Sequence, residues 1–481
     1  MKGYEGKLFI DGQWKSPLRG GVEEVRSPYN NKVVGIAAVA SLADVELALS
    51  SAEKGAQVWR RTPAHQRFAV MMKAAELADL RIEEMAQLIS SENGKSLLES
   101  RGEAGRSGEI IRLAAFEGAQ LYGSSLPLDA NKGTGLDKIG FTLHQPVGVV
   151  VAITPFNYPA LLVLHKLAPA LASGNSVVLK PARATPLTAL ALTQCFIDAG
   201  LPAGVLNVVT GSGDELGSAL CSDSRVRKIS FTGSTSIGTR ITQIAGVKKL
   251  SLELGASSPV IVLPDADLEL ATRAVALGGY INSGQVCISV QRVIVDKKIK
   301  GDFLDALKSR VEAISVGDPK GEGIDVGTMI NLKEADRVVT SIRSAVAEGA
   351  RLITGAEISG TVITPAIIAD VNPRASIAQD ELFGPAVVVS DANSIEEALE
   401  YANNTPYGLG SGIFTKDIDS AIRAAREIDS GIIHINWTPL WRADLMPYGG
   451  LKSSGVGKEG VRSAVEEMTE VKTIIMHGRS W

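Results

Sequence analysis

The chain has 481 residues, a net charge of −4 from 49 basic and 53 acidic side chains, and 45% hydrophobic residues. This length predicts about two to four domains around a large buried core. The balanced charge lacks the basic excess of a nucleic-acid-binding protein. The most apolar run, 147–172, contains Pro155, Pro159, His165 and Lys166 and is therefore not a membrane span. We expect a soluble α/β enzyme that binds neither nucleic acid nor a membrane.

The cysteines and histidines show no metal-ligand spacing. Cys195, Cys221 and Cys287 lie far apart and form no CxxC pair, which argues against a disulfide framework and a zinc site and fits a reducing cytosol. Residues 1–17 lack the apolar segment of a secretory signal. We therefore predict a cytoplasmic protein without a bound metal.

The first 145 residues predict short strands followed by long helices. Residues 7–37 are strand-like, with Asp11-Gly12 as a hairpin turn. Ser41 and Asp44 have the spacing of a capping box, which predicts the start of a helix. The helical patterns cover 41–60, 64–91 and 96–122, and a polar, strand-like extension covers 126–145.

From residue 146 onwards, short apolar runs alternate with Ala- and Leu-rich segments of helical length. Near-continuous apolar strands separated by helices predict a parallel sheet that is covered on both faces. Ligands on such sheets bind beyond the carboxyl ends of the strands, so functional residues are expected just after each run. The segments that follow the first four runs begin at Thr154, Pro181, Thr210 and Thr232, and the fifth run contains Glu253 near its end.

The stretch 250–290 pairs one carboxylate with one cysteine. Glu253 is the fourth residue of a strand-like LSLEL run, and Cys287 follows thirty-four residues later in SGQVC. A nucleophilic thiol needs a base to activate it, or to activate the water that releases its product. Spacing alone also allows a solvated glutamate and an inert, buried cysteine. The small residues beside both groups favour positions where the backbone approaches a ligand closely.

LELGASSP followed by SGQVC is similar to the paired signature of the aldehyde dehydrogenase superfamily, and further motifs extend the resemblance over nearly the whole chain. The resemblance implies that Cys287 is the nucleophile and Glu253 the general base. TPFNYP resembles the family's P-[WF]-N-[FY]-P, which implies that Asn157 forms the oxyanion hole with the backbone N–H of the cysteine. Such a donor contributes about 3 kcal/mol to a transition state.

The resemblance also implies a nicotinamide cofactor along the strand ends. Lys180 is expected to contact the adenosine ribose, and Arg183 stands where NAD-preferring members often carry a glutamate. Because an arginine pairs with a phosphate and cannot accept from a hydroxyl, we expect NAD(P), with NADP or dual use favoured. Glycine-containing turns before helices suit a pyrophosphate, although the G-x-G-x-x-G fingerprint is lacking. The other candidate cofactor residues are Thr154, Pro155, Gly211, Gly233, Ser234, Glu381 and Phe383.

Four residues are candidates for substrate recognition. His165 stands where members that act on apolar aldehydes often carry an aromatic residue, and Val286 and Ile288 flank the cysteine. Arg442 precedes MPYGG and either clamps an anionic group or remains a solvated rim residue. The CISV and RADLMPYGG segments resemble lactaldehyde-type and phosphonoacetaldehyde-type members, which implies a short polar aldehyde, hydroxylated or acid-bearing.

The implied reaction oxidises the aldehyde to its carboxylate through a thiohemiacetal and a thioester, which water activated by Glu253 hydrolyses. A coenzyme A-acylating semialdehyde dehydrogenase is the alternative enzyme, and Glu253 counts against it because such relatives typically lack this base. A non-catalytic binding protein on the same fold is the other alternative. The joint presence of five residues argues against that reading: Cys287, Glu253, Asn157, Lys180 and Glu381.

The resemblance also implies the domain organisation. A Rossmann-like cofactor-binding domain is expected over 1–125 and 146–254, and a second α/β catalytic domain over 255–447. A small β extension for oligomerisation is expected over 126–145 and 466–481. The last strand, 471–476, should pair across a subunit boundary in a homodimer or homotetramer.

Overall fold

The computed structural model describes residues 5–478, in which strands and helices alternate along most of the chain. The N-terminal part contains β1 (Leu8–Ile10), β2 (Gln13–Lys15), β3 (Val22–Arg26), β4 (Val33–Ala38), α1 (Leu42–Trp59), α2 (Ala64–Asp79), α3 (Ile82–Asn93), α4 (Leu97–Gly105), α5 (Ser107–Ala119), β5 (Ser125–Leu126) and β6 (Lys138–Pro146). The segment that follows contains β7 (Val149–Ile153), α6 (Leu161–Ala172), β8 (Ser176–Lys180), α7 (Pro186–Asp198), β9 (Leu206–Val208), α8 (Gly213–Ser222), β10 (Val226–Thr232), α9 (Thr235–Ile244) and β11 (Lys249–Glu253).

The remaining elements begin just after Glu253. They are β12 (Ser258–Val262), α10 (Leu268–Tyr280), a 3₁₀ turn (Ile281–Gly284), β13 (Val290–Asp296), α11 (Lys300–Glu312), α12 (Leu332–Ala347), β14 (Arg351–Thr354), β15 (Ile358–Ser359), β16 (Val362–Ile363), β17 (Ala366–Ala369), α13 (Ser376–Gln379), β18 (Ala386–Ala392), α14 (Ile395–Asn403), β19 (Tyr407–Gly408), β20 (Gly410–Phe414), α15 (Ile418–Glu427), β21 (Ile432–Ile435), β22 (Leu451–Lys452), β23 (Gly455–Val456), α16 (Val461–Glu467) and β24 (Thr469–His477).

An eight-stranded sheet has the order β2-β1-β9-β8-β7-β10-β11-β23, and its strands from β9 to β11 run parallel. Successive side chains of a strand point to opposite faces. Val150 and Val177 accordingly join one core cluster, whereas Val151 and Val178 join another on the opposite face. Helices cover both clusters, which is why these strands are apolar almost throughout. The prediction of an α/β fold with a covered parallel sheet is confirmed.

A second sheet has the order β14-β17-β18-β13-β12-β20-β21 and is parallel except for the β14–β17 pair. Its central strands are buried, as the apolar runs 258–262 and 386–390 require. The loop that contains Cys287 leads directly into β13 of this sheet.

The strand-like extension forms a separate antiparallel sheet in the order β24-β6-β5. Strands β24 and β6 pair over nine residues of the same chain, from Thr469 opposite Pro146 to His477 opposite Lys138. Pairing of 471–476 across a subunit boundary stays a prediction. Residues 479–481 of the predicted extension lie outside the described residues.

The N-terminal local predictions are partly confirmed. Asp11 and Gly12 form the hairpin turn between β1 and β2, with φ values of 54° and 73°. Ser41 and Asp44 form the expected capping box at the start of α1. The single helices predicted over 64–91 and 96–122 are wrong, because each is two helices.

Both helix breaks are associated with an arginine that reaches a distant carboxylate. At the first break Arg81 leaves the helical conformation, with φ −112° and ψ 14°, and pairs with Asp198. At the second break Arg106 pairs with Asp444, and the glycines around it weaken helical continuity. These contacts span more than 100 residues, so no local pattern signals them.

Between residues 5 and 478 no helix is long and apolar enough to cross a bilayer. The same residues include no group of three or more His, Cys, Asp or Glu side chains that could hold a metal ion. Cys195 and Cys221 are free and fully buried beside the first sheet, and burial raises the pKa of Cys221 to about 11.

Candidate active site

The carboxyl ends of the parallel strands meet the loop that contains Cys287. Glu253 is the last residue of β11 and lies beside Thr232, the last residue of β10. Thr154 follows β7, and its N–H donates to the carbonyl of Lys180 at the end of β8. These positions share one edge of the sheet because the strands are parallel. The residues that follow the apolar runs therefore lie together at one edge of the sheet, and their functional roles stay a prediction.

A long groove of about 620 Å³ leads along this edge to Cys287. Its size is typical of a small-molecule or cofactor site. Among the residues that line it are Thr154, Pro155, Phe156, Asn157, Ala182, Gly233, Ser234, Gln285, Cys287, Glu381 and Phe383.

Polar groups that line the groove have hydrogen-bonding capacity that the protein itself does not fill. The hydroxyl of Thr154 is buried and has no hydrogen-bond partner within residues 5–478. Glu381 accepts the N–H of Ala256 at 3.0 Å, and burial raises the pKa of its carboxyl group to about 7. Phe383 packs edge-on against Phe156, with ring centroids 6.0 Å apart. A ligand with hydroxyl groups and a flat ring fits this mixture of acceptors and aromatic surface.

Lys180 and Arg183 lie in different surroundings. The Lys180 side chain is buried, donates to the carbonyl of Pro181 at 3.3 Å, and has a pKa lowered to about 8 by burial. Arg183 is 65% exposed, and its Nε and Nη2 lie 2.7 and 2.6 Å from one carboxylate oxygen of Glu23. Glu23 belongs to β3 and was not among the predicted residues. Gly211 packs near Ala40 and does not line the long groove.

Cys287 lies between the 3₁₀ turn and β13 and is partly buried. Its sulfur is 3.0 Å from the hydroxyl oxygen of Tyr448. Burial raises the pKa of the Cys287 thiol to about 12, the hydrogen bond from Tyr448 opposes that rise, and the carboxylate of Glu253 adds to it. The resting sulfur is therefore a protonated thiol unless neighbouring groups stabilise its charge.

Hydrogen bonds of Asn157 connect the segment after β7 to the loop that contains Cys287. Its side-chain Nδ2 donates to the carbonyl of Gln285 at 2.8 Å. Its backbone carbonyl accepts from Lys95 Nζ at 2.8 Å and from Asn282 Nδ2 at 3.0 Å. Lys95 is in turn held by a buried ion pair with Glu103 at 2.6 Å. One N–H of the Asn157 amide remains for an oxygen in the site.

Two buried carboxylates near the cysteine have opposite pKa shifts. Burial raises the pKa of Glu253 well above its usual value, Glu459 raises it further, and one Glu253 oxygen has no partner among the described residues. Glu459 is equally buried, but the ammonium of Lys166 pairs with it and brings its pKa below the usual value. Lys166 also donates to Thr232 at 2.7 Å. Glu253 is thus the more easily protonated of the two carboxylates, and Glu459 the more easily ionised.

A second cavity, which we call the Cys287 pocket, opens at the same sulfur. All four predicted substrate residues line it, together with the three predicted catalytic residues. Its lining comprises Arg106, Asn157, Tyr158, Leu161, Leu162, His165, Thr232, Glu253, Val286, Cys287, Ile288, Leu440, Arg442, Tyr448 and Glu459.

Arg442 is a cation without a carboxylate partner in this pocket. Its guanidinium carbon lies 3.9 Å from the centre of the Tyr448 ring, and its Nη2 is 3.4 Å from Nδ1 of His165. Across residues 5–478 it forms no salt bridge, and its Nε has no hydrogen-bond partner. Burial and the positive charge of Arg442 lower the pKa of His165 to about 4, so the imidazole is neutral near pH 7.

The sequence did not single out Arg106, Tyr448 or Glu459. Tyr448 and Glu459 belong to the tail motif PYGGLKSSGVGKEG. The motif indicates that they lie near the site, but it does not indicate what either side chain does there. Arg106 lies at a helix break and pairs with Oδ1 of Asp444, and the same oxygen is 3.4 Å from Nε2 of His165. Trp441, next to Arg442, is 57% exposed and packs against His434.

The model of the aldehyde dehydrogenase family matches residues 14–474. The chain belongs to the aldehyde dehydrogenase family. It is therefore an oxidoreductase that oxidises an aldehyde with NAD(P), and the resemblance found in its sequence is confirmed.

Relatives of known activity cover almost the whole chain. A 3-sulfolactaldehyde dehydrogenase from Priestia megaterium is 42% identical over 470 residues, 98% of either chain. A lactaldehyde dehydrogenase from Methanococcus aeolicus is 36% identical over 98% of this chain and 100% of its own. An NADP-dependent glyceraldehyde-3-phosphate dehydrogenase from Bacillus halodurans, solved with NADP, has a TM-score of 0.96 at 33% identity and covers 98% of this chain and 99% of its own.

Proposed function

We propose that this aldehyde dehydrogenase oxidises a short aldehyde that carries an anionic group, such as a sulfonate, phosphonate or carboxylate. The observation that supports this most directly is Arg442, a guanidinium in the Cys287 pocket that pairs with no carboxylate of residues 5–478. Guanidinium groups bind sulfonates, phosphonates and carboxylates with two parallel hydrogen bonds. An anionic aldehyde would supply the negatively charged partner that Arg442 lacks among residues 5–478.

The other pocket walls favour a short substrate. Val286 and Ile288 flank the sulfur, and Leu161 and Tyr158 face the same cavity. An apolar wall next to the reacting carbon excludes bulky polar groups, so the anionic group would point towards Arg442. The 42% identity to a 3-sulfolactaldehyde dehydrogenase supports a three-carbon substrate of this kind.

Cys287, Asn157 and Glu253 would carry out the chemistry. The Cys287 thiolate forms a C–S bond with the carbonyl carbon, the oxygen takes the electron pair, and the free N–H of Asn157 donates to it. A nicotinamide cofactor, when bound in the long groove, would supply the acceptor for the hydride that this carbon loses. Glu253 then takes a proton from water as the water oxygen bonds to the thioester carbon, and the C–S bond breaks to release the carboxylic acid.

The surroundings of Glu253 favour release by hydrolysis over transfer to coenzyme A. A base that is buried, has a raised pKa and keeps one oxygen free is suited to accept a proton from water. Neighbouring Glu459 is tied to Lys166 and is less suited to that task. We therefore retain the coenzyme A-acylating reaction and the non-catalytic protein only as alternatives that the experiment below would reveal.

The long groove would hold the cofactor. Glu381 and Thr154 offer oxygens to ribose hydroxyls, Phe383 offers a ring face, and Gly233 and Ser234 present the start of α9 to a pyrophosphate. Lys180 and Arg183 would meet the adenosine ribose, with Gly211 and Pro155 as further candidates. Dual use of NAD and NADP fits best, because Glu23 can accept from a 2′-hydroxyl and Arg183 can pair with a 2′-phosphate.

The predicted domain limits, the cytoplasmic location and the homodimeric or homotetrameric state belong to the same proposal. The sheet formed by β24, β6 and β5 exposes several apolar side chains, which is consistent with a contact surface between subunits. These side chains are Ile139, Leu143, Val471, Ile475 and Met476.

Trapping the acyl intermediate tests this function. In Glu253→Gln, a stoichiometric burst of reduced cofactor should precede a steady rate that is about 10²- to 10⁴-fold below wild type, and intact-protein mass should rise by one acyl group on Cys287. NAD and NADP are compared with 3-sulfolactaldehyde, phosphonoacetaldehyde, succinic semialdehyde and lactaldehyde. Turnover only with added coenzyme A, or none with any aldehyde, would contradict the proposal.

A further inference from the structure

The Tyr448 hydroxyl touches the proposed nucleophile. It lies 3.0 Å from the Cys287 sulfur, and within residues 5–478 it makes no other hydrogen bond. Tyr448 is only 3% exposed. A buried hydroxyl without a partner costs about 1–3 kcal/mol, and a phenylalanine would fill the same space without that cost. The sulfur is therefore what makes a tyrosine, rather than a phenylalanine, suitable at this position.

The ring is held so that the hydroxyl keeps facing the sulfur. The backbone of Tyr448 exchanges two hydrogen bonds with that of Glu459, at 2.8 and 2.6 Å. The guanidinium of Arg442 covers one ring face at 3.9 Å. Because its backbone and its ring are both held in place, the Tyr448 side chain is already ordered before the sulfur becomes charged. Its hydrogen bond to the sulfur is therefore preorganised.

The charges around the sulfur make such a donor necessary. Burial disfavours the thiolate, and the nearby carboxylates of Glu253 and Glu381 disfavour it further. The groups that favour it are Tyr448 and Arg442. Burial also raises the pKa of Tyr448, so the phenol keeps its proton and remains a donor when the sulfur ionises.

We propose that Tyr448 is a catalytic residue whose hydroxyl donates a hydrogen bond to the Cys287 thiolate, stabilises the thiolate relative to the thiol and orients the sulfur before the aldehyde enters. The proposal rests on the proposed role of Cys287 as the nucleophile. The thiol proton passes to solvent water, the electron pair stays on sulfur, and Tyr448 keeps its own proton. When the C–S bond forms, the sulfur loses its charge and the hydrogen bond weakens.

The test is the pH dependence of Cys287 alkylation by iodoacetamide, measured without aldehyde or cofactor in wild type and in Tyr448→Phe. Peptide masses identify which cysteine is alkylated. They distinguish Cys287 from the two buried cysteines, Cys195 and Cys221. The substitution removes one oxygen and keeps the ring, and melting temperatures check the fold. We expect the midpoint to rise by about one pH unit or more, and alkylation at pH 7 to slow about tenfold, because only the thiolate reacts.

Tyr280→Phe is the matched control. Tyr280 is also buried, and its hydroxyl donates to the carbonyl of Ala366 at 2.9 Å, so its loss should leave the Cys287 midpoint unchanged. An unchanged midpoint in a folded Tyr448→Phe would overturn the proposal, even if the KM for hydroxylated aldehydes changed. If alkylation of wild-type Cys287 left turnover intact, the proposed function itself would fail instead.

Discussion

The two ends of the site each carry one arginine, and the two guanidinium groups have opposite surroundings. At the cofactor end, Arg183 is 65% exposed and bound by the carboxylate of Glu23. At the aldehyde end, Arg442 lies in the Cys287 pocket against the Tyr448 ring and has no carboxylate partner among residues 5–478. An exposed, paired cation contributes little free energy, whereas a partly desolvated cation without a partner binds an anion strongly.

This difference indicates what each arginine can discriminate. A 2′-phosphate would have to displace Glu23, so the gain from Arg183 is reduced by the loss of an existing ion pair. An anionic aldehyde displaces no carboxylate of residues 5–478 from Arg442. We therefore expect weak discrimination between NAD and NADP and strong discrimination between acid-bearing and neutral aldehydes. A carboxylate introduced next to Arg442 should weaken the discrimination between acid-bearing and neutral aldehydes. Removal of the Glu23 carboxylate from Arg183 should strengthen the discrimination between NAD and NADP.

The largest expected effect comes from pairing Arg442. His165→Glu introduces a carboxylate on a side chain that now lies 3.4 Å from Arg442 Nη2. The value of kcat/KM for an acid-bearing aldehyde should fall about 100-fold, the scale of a lost charge-assisted pair. His165→Gln is the matched control, because it changes shape similarly without adding charge. Equal losses in both variants would mean that the charge of Arg442 is not what binds the substrate.

A smaller effect should follow from releasing Arg183. In Glu23→Gln the guanidinium has no carboxylate to displace, so the ratio of Kd values for NAD and NADP should shift about tenfold towards NADP. Calorimetry with the two nucleotides measures this ratio without turnover. Glu46→Gln, which breaks the surface pair with Arg225, is the control and should leave the ratio unchanged. The same ratio in Glu23→Gln as in wild type would show that Arg183 does not meet the 2′-position.

The residues that sequence analysis identified have local signatures. Asn157 follows the apolar strand β7, Glu253 ends β11, and Cys287 follows a turn with small residues. The resemblance of their motifs to one family predicts that the three side chains lie together. The alternation of apolar runs and helices likewise predicts the parallel sheet. These features depend on neighbours within about ten residues, which the pattern contains.

The unpredicted features depend on residues far apart in the chain. Glu23 reaches Arg183 across 160 positions, and Arg106 at the second helix break pairs with the distant Asp444. Whether an arginine is paired or unpaired is decided by the packing of distant loops, so the sequence could name Arg442 without showing that it lacks a partner. Tyr448 was likewise visible as part of a motif, but its contact with sulfur was not.

The most direct test compares one pair of substrates in wild type and Arg442→Gln. The ratio of kcat/KM for 3-sulfolactaldehyde to that for lactaldehyde isolates the anionic group, because both aldehydes share the same Cys287 thiolate. We predict that wild type prefers the sulfonated aldehyde and that Arg442→Gln lowers the ratio about 100-fold while lactaldehyde turnover changes far less. An unchanged ratio, with both substrates slowed equally, would contradict the assignment of Arg442 as the group that binds the anion.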